Sequence, residues 1–277
     1  MPVPKPDIQK IKDTAVKAKD TAVRAKDAVA DKIEEINVEE IIAQAMKLPG
    51  AKIDRAAYLG KQLRKYYPDT MVADAIRTTP AQAGITKEGI ENLAKNTIKY
   101  ETSKVTAVSA VAGIPGGFAM LGTIPADTAQ YFVFAIRVAQ KLAYLYGYPD
   151  MGTGNEPFDD GSMYEILCFI GSMFGVKEAN VGIKIIAEAL KNSLPKKIAR
   201  KALMKGAIYP IVKSIAKNLE MEMTKEIFAK GVGKTIPIVG GVVSGGLTYT
   251  TFRIGCYRLQ KELEKNFISD VEYKDWV

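Results

Sequence analysis

The sequence predicts an all-α fold, a multi-helix bundle, and three observations support this prediction. Apolar residues recur at the three- and four-residue spacing of amphipathic helices through most of the chain. Glycine and proline interrupt this pattern at intervals, and no stretch alternates apolar and polar residues as a half-buried strand would. The hydrophobic fraction of 47% and the charged fraction of 25% are typical of a globular protein with a buried core.

Residues 1–40 are set apart from the rest by a seven-residue repeat. Between residues 10 and 32 the pattern Lys-Asp-Thr-Ala-Val recurs with small changes. A period of seven places the alanines and valines on one face of a helix and the charged residues on the other. We therefore expect an amphipathic helical arm at 1–40, followed by a helical domain at 41–277. The arm can self-associate through residues 10–35, dock on the domain, lie on a membrane or remain a solvated helix.

Proline, glycine and capping residues mark where the helices of the domain begin and end. The predicted boundaries are a helical region at 36–66 that breaks at 48–50, a short helix after Pro68, a helix capped by Thr86, a long helix from Pro125 to about Tyr146, and a helix opened by Ser162 and Glu165. The last of these helices is apolar on nearly all sides, so we expect it at the centre of the bundle. Aromatic residues between 131 and 148 fit core packing better than a lipid pocket or a membrane interface.

Two blocks of the chain carry no charge, residues 105–126 and residues 235–252. The first block is long enough to span a bilayer, but Pro115 and the glycines beside it would break a straight helix. Both blocks contain glycines four residues apart, a spacing that lets another helix approach closely. These helix-packing glycines are Gly113 and Gly117 in the first block and Gly241 and Gly245 in the second. We expect two glycine-rich apolar helical hairpins, and both burial in the bundle and entry into a bilayer fit this composition.

The chain has no histidine and only two cysteines, which excludes several kinds of active site. Without histidine there is no Ser-His-Asp triad, no Cys-His pair and no histidine-rich zinc site. Cys168 and Cys256 lie in apolar surroundings, so we expect two buried thiols in a reducing cytoplasm. No apolar signal segment follows Met1. We therefore expect no metal and no other cofactor.

Asp127, Arg137 and Lys141 are the only charges between Val105 and Asp150. Arg137 and Lys141 are four residues apart and share a helix face. In such apolar surroundings these charges have three interpretations. They form a polar site in which Arg137 and Lys141 hold an anion or ligand, they form an ion pair with another helix, or their charged ends extend to water. If the protein is an enzyme, Asp127 and Glu165 are the best candidates for a general base, because histidine is absent.

Basic residues concentrate at 184–217, where nine lysines and arginines face a single acidic residue, Glu188. This segment alone therefore accounts for the whole net charge of +8. The candidate lipid-headgroup patch within it is Lys196, Lys197, Arg200, Lys201 and Lys205. Lysine-rich surfaces attract anionic headgroups, whereas the scarcity of aromatic residues here argues against nucleic acid. An ordinary solvated face is the alternative.

Three runs of the sequence resemble the EcsC family. They are Ala112-Gly-Ile-Pro-Gly-Gly117, the long run from Ile124 to Asp150 with Arg137-Val-Ala-Gln140-Lys141 at its centre, and Lys234-Thr-Ile-Pro-Ile-Val-Gly-Gly241. The resemblance covers about 90–270 and leaves out the arm. It implies a bacterial-type helical domain with a membrane connection and an ABC transporter as a partner. It implies no reaction and no catalytic residue.

These observations favour a cytoplasmic, non-catalytic protein that associates peripherally with the membrane through anionic lipid or a transporter. An alternative is an enzyme or a binder of a small, lipid-like molecule, with a buried polar site around Asp127 and Arg137. A third hypothesis is an interaction module that assembles through the arm.

Overall fold

The computed structural model describes residues 38–48, 50–110, 126–151, 158, 160–192, 211, 213–215 and 237–268. Its helices are α1 (Val38–Lys47), α2 (Arg55–Leu63), α3 (Asp69–Arg77), α4 (Lys87–Ala110), α5 (Ala126–Leu145), α6 (Asp160–Met173), α7 (Lys177–Lys191) and α8 (Pro237–Lys265). The described part of the chain contains no strand, so the predicted all-α fold is confirmed. Several predicted features lie outside the described residues: most of the arm, Gly113, Gly117, and the patch from Lys196 to Lys205.

Most helix boundaries follow the predicted capping and breaking residues. The Thr86 hydroxyl accepts a hydrogen bond from the Gly89 backbone N–H at 3.1 Å, which caps α4 as predicted. Helix α3 begins directly after Pro68, and α5 covers nearly all of the predicted 125–146. Helix α6 begins at Asp160, two residues before the predicted Ser162.

Arg55 joins the start of α2 to the end of α3. Its side chain is buried, with 6% of the residue exposed. The guanidinium donates hydrogen bonds to the carbonyls of Ala75 (3.4 Å), Ile76 (2.6 Å), Thr78 (2.6 Å) and Tyr148 (3.1 Å). Carbonyls at the end of a helix lack partners within the helix, and a cation is favourable there. Arg55 therefore fixes the angle between α2 and α3.

The core forms around α5 and α6. Helix α5 packs against α1, α2, α4, α6 and α8, while α6 also contacts α7 and α8. The largest fully buried side chains are aromatic: Phe132, Tyr144, Tyr146, Tyr148, Phe169 and Phe252. The rings of Tyr148 and Phe169 meet edge to face, with centroids 5.4 Å apart. Core packing, the favoured interpretation of the aromatic run, is confirmed for these residues, and α6 is central as predicted.

Helix α8 closes the bundle and contains most of the second uncharged block. From Pro237 onward this block belongs to one continuous helix that packs on α4, α5 and α6. At Gly255 of α8 the neighbouring helix α6 comes close: a Cβ added to this glycine would lie 3.1 Å from the Met173 carbonyl oxygen. Gly241 and Gly245 lie in the same helix, but their predicted packing role and the predicted hairpins remain predictions. None of the helices in the described residues is both long enough and apolar enough to cross a membrane.

The segment after α8 is attached to the end of α5. The Ile268 backbone N–H donates to the Tyr146 carbonyl at 3.2 Å, and the rings of Phe267 and Tyr146 meet edge to face with centroids 6.0 Å apart. Gly147, at φ +89°, turns the chain away at this point, and a Cβ there would collide with the Ile268 carbonyl. Ile268 is fully buried by this contact.

Candidate functional site

Helix α5 carries a stripe of polar side chains across an otherwise apolar bundle. Its members are Arg137, Gln140, Lys141 and Tyr144, which are spaced three and four residues apart and therefore share one face. Gln140, Lys141 and Tyr144 are buried, and Arg137 is half-buried. Buried polar groups need hydrogen-bond partners, so the partners of this stripe show what it does.

Three members of the stripe hold the loop between α1 and α2. The Arg137 guanidinium donates to the Gly50 carbonyl. The Gln140 side chain accepts from the Ile53 N–H at 3.0 Å and donates to the Ala51 carbonyl at 2.8 Å. The Tyr144 hydroxyl donates to the Ile53 carbonyl at 3.1 Å. These contacts satisfy the backbone of the loop and position it against α5.

The fourth member, Lys141, forms a buried ion pair with Glu101 of α4. Lys141 Nζ lies 2.5 Å from Glu101 Oε1, and the side-chain exposures are 10% for Lys141 and zero for Glu101. The second carboxylate oxygen, Glu101 Oε2, is buried and has no hydrogen-bond partner among the described residues. Burial lowers the pKa of Lys141; the nearby Glu101 opposes this effect, and the charges of Arg137 and Lys104 add to it.

Two further groups from α2 and α4 complete what we call the interior polar cluster: Tyr58, Thr97, Glu101 and Lys141. Lys141 Nζ lies 5.8 Å from the centre of the Tyr58 ring, and the Tyr58 and Thr97 hydroxyls are 2.8 Å apart. Burial raises the pKa of Tyr58, and the hydrogen bond to Thr97 opposes the shift. The cluster thus joins three helices through polar contacts inside the bundle.

A second buried polar group lies where α6 meets the end of α5. Glu165 and Cys168 of α6 are both buried here, as is Tyr148, whose hydroxyl has no hydrogen-bond partner among the described residues. Burial, aided by the charge of Glu165, raises the pKa of the Cys168 thiol to about 12. Burial likewise raises the pKa of Cys256 in α8. Both cysteines are free and buried as predicted, and both are poor nucleophiles at neutral pH.

The structure places the predicted site residues in different surroundings. Arg137 and Lys141 share a face, and Lys141 forms the ion pair with another helix that was one of the predicted alternatives. Glu165 lies in the second buried group, near Tyr148 and Cys168. Asp127 belongs to α5, but its side chain is outside the described residues. Whether Asp127 and Arg137 form one polar site is therefore still a prediction.

Sequence reasoning missed Glu101, although the sequence held a signal for it. The buried positions of α4 include Ile90, Ala94, Ile98 and Val105, which recur at helical spacing. Glu101 falls within this apolar stripe, midway between Ile98 and Val105. Its carboxylate must therefore be buried, or the buried face of the helix must be interrupted at this position. A lone carboxylate on a buried face demands a cationic partner, and Lys141 was the natural candidate.

The chemistry of the described residues favours a structural role for both polar groups. No three histidine, cysteine, aspartate or glutamate side chains there come close enough to hold a metal ion. The described thiols and buried phenols have raised pKa values and stay protonated at neutral pH. Neither group presents the nucleophile and oriented base that covalent catalysis needs.

The chain was compared with family models, curated proteins and solved structures, and none of them matches it. The resemblance to the EcsC family therefore rests on the three runs quoted above and remains a prediction. In the described residues, the polar members of the longest run, from Arg137 to Tyr144, serve the loop contacts and the buried ion pair.

We expect strongly alkaline solution to destabilise the protein. Burial raises the pKa of Tyr58, Tyr144, Tyr146 and Tyr148, to about 12 for Tyr146. The pKa of such a phenol is higher in the folded protein than in the unfolded chain, where it is about 10. Its contribution to the free energy of unfolding is complete below pH 10 and is lost as the pH rises towards the folded pKa. The lowered pKa of Lys141 has the opposite effect, because its contribution to the free energy of unfolding grows as the pH approaches about 10.4. This is one lysine, however, whereas four tyrosines act in the other direction.

The free energy of unfolding, measured with urea between pH 8 and pH 11, should therefore fall above about pH 10. Phenolate absorbance should show early ionisation of the exposed Tyr100, whose pKa is lowered by the hydrogen bond and charge of Lys104. The four buried tyrosines should ionise only as the protein unfolds. A free energy that stays level to pH 11, with all tyrosines titrating together near pH 10, would contradict this prediction.

Proposed function

We propose that this chain is an EcsC-like protein that binds the anionic surface of the cytoplasmic membrane and has no catalytic activity. The observation that carries the proposal is the confinement of the whole net charge of +8 to residues 184–217. Lysines close to a membrane surface each contribute about 1 kcal/mol of attraction to anionic lipid. A compact group of them can hold a protein at a membrane without any spanning helix.

The described residues support this proposal at the two edges of the segment. Lys184 and Lys191 of α7 and Lys213 are all exposed. Among the described residues, the ion-pair partner of Lys184 is Glu188, and this pair is long, at 3.7 Å, and exposed, so exchanging it for a phosphate group costs little. Val181, an apolar side chain on the same helix, is 58% exposed. Lysines beside an exposed apolar side chain suit a headgroup interface.

A transporter is the second partner that we propose, on the strength of the EcsC resemblance alone. The glycines of the two uncharged blocks would then provide surfaces that a membrane helix can approach closely.

Vesicle flotation tests the proposal. The protein should float with phosphatidylserine vesicles at low salt, should fail to float with neutral phosphatidylcholine vesicles, and should be released as salt rises. Replacing Lys196, Lys197, Arg200, Lys201 and Lys205 by glutamine should abolish flotation. The matched control replaces five exposed lysines elsewhere: Lys47, Lys61, Lys65, Lys99 and Lys261. Equal loss in the two variants, or no flotation of the unaltered protein, would refute specific binding through this segment.

A further inference from the structure

One side of α8 presents positive charge to solvent. Ile254, Arg258, Lys261 and Lys265 follow one another at the three- and four-residue spacing of a single helix face. All four residues are exposed, and the exposed fraction of Ile254 is 46%. We call these four residues the α8 cationic face. It combines three cations with one apolar side chain that the bundle does not bury.

The described neighbours of the α8 cationic face neutralise one of its three charges. Lys265 pairs with Glu262, at 2.9 Å. The Arg258 guanidinium donates to the Met173 carbonyl, at 3.4 Å, and this acceptor carries no net charge. Neither Arg258 nor Lys261 has a carboxylate partner in the part of the chain that the structure describes. An acidic segment with apolar side chains would therefore complement this face in both charge and hydrophobicity.

Residues 269–277 of the same chain have this composition. They contain three carboxylates against a single lysine, and four apolar or aromatic side chains lie among them. The acidic residues are Asp270, Glu272 and Asp275, and the apolar and aromatic residues are Val271, Tyr273, Trp276 and Val277. The segment thus carries negative charge for Arg258 and Lys261 and apolar surface for Ile254.

The place where this segment begins favours it over a separate partner. Ile268, the residue before it, is fully buried and is hydrogen-bonded to Tyr146, three residues after α8 ends at Lys265. The distance along the helix from Lys265 back to Ile254 is about 16 Å at 1.5 Å per residue. Eight extended residues after Ile268 cover about 26 Å, so Trp276 can reach Ile254. Because the segment is tethered beside its target, weak contacts suffice to hold it there.

We propose that residues 269–277 fold back along α8 and dock on the α8 cationic face. Their carboxylates lie against Arg258 and Lys261, and Trp276 covers Ile254. The docked segment neutralises this face, so an anionic partner of α8 has to displace it. Salt weakens the contact, because it screens charges at the surface. The contact involves α8 alone and does not depend on lipid binding through residues 184–217.

Tryptophan fluorescence tests the contact, because Trp276 is the only tryptophan of the protein. Acrylamide, a neutral quencher, should quench the emission of the folded full-length protein less than that of the protein in urea. The variant Arg258→Glu with Lys261→Glu should lose this protection, and so should the variant Asp270→Lys with Glu272→Lys. Combining all four substitutions should restore the protection, because the charges are again complementary.

The matched control is Lys61→Glu with Lys99→Glu, which reverses two exposed lysines on α2 and α4 and should keep the protection. If the α8 variant folds poorly, as circular dichroism would show, the Asp270 and Glu272 variant still tests the contact and leaves all eight described helices unaltered. Equal quenching in the folded and urea-unfolded protein would overturn the proposal, as would protection that survives both reversals or an equal loss in the control. Vesicle flotation has no part in this measurement, so the two proposals can fail separately.

Discussion

Replacing Lys141 by methionine is expected to lower the free energy of unfolding by about 3–5 kcal/mol. The substitution leaves Glu101, which is fully buried, without its only ion-pair partner among the described residues. The charge must then be neutralised, or water must enter the bundle, and either event costs stability. Urea unfolding at pH 7, followed by circular dichroism, measures the loss.

A double variant distinguishes the effect of losing the ion pair from the effect of losing side-chain packing. Lys141→Met together with Glu101→Met should recover most of the lost stability, because a buried ion pair and a well-packed apolar pair are often equivalent. The matched control is Lys95→Met, which removes a cation from the exposed Lys95–Glu91 pair and should cost less than about 1 kcal/mol. If Lys141→Met proves no more harmful than Lys95→Met, Glu101 is not held as a buried charge.

Replacing Arg55 by methionine should cost about 3–5 kcal/mol as well. One side chain supplies donors to four carbonyls, and three of those carbonyls belong to the end of α3 or the residue after it. Without Arg55 these acceptors, which lie at two buried and two part-buried contacts, lose its donors, or α3 moves to reach water. Arg55→Lys should restore only part of the stability, because an ammonium cannot reproduce the geometry of the guanidinium.

Arg64→Met provides the comparison for Arg55. Arg64 directly follows α2, the helix that begins with Arg55, but its ion pair with Asp69 is exposed. Replacing Arg64 should therefore change the free energy of unfolding by no more than about 0.5 kcal/mol. Hydrogen exchange of α3 amides should rise in Arg55→Met and remain unchanged in Arg64→Met. Equal thermal midpoints for the two variants would show that Arg55 does not hold α3 in place.

Within the described residues, the sequence was sufficient for most of the helix boundaries, because these boundaries depend on local chemistry. Pro68 begins α3 and Thr86 caps α4 through contacts within a few residues. The aromatic core was predictable for a similar reason, since burial follows from the periodicity of bulky side chains along one helix. Such signals need no knowledge of which helices are neighbours.

The candidate site was only half predictable, because its partners come from distant parts of the chain. Arg137 and Lys141 stood out as rare charges in an apolar stretch, but Glu101 is 40 positions from Lys141 and α4 carries many other charges. The Gln140 contacts to Ala51 and Ile53 span 89 and 87 positions, respectively. Pairing over such distances depends on how helices are placed in three dimensions, which local patterns do not encode.

The attachment of Ile268 to Tyr146 has a consequence for how the chain is made. Helix α8 covers α4, α5 and α6, and its end is fastened 122 positions back along the chain. During synthesis the earlier helices are therefore made several seconds before the helix that covers them, at about 5–20 residues per second. Their apolar faces are exposed for that interval, and long-range closure of this kind slows folding. The newly made chain should therefore be most prone to aggregate in the interval before α8 docks.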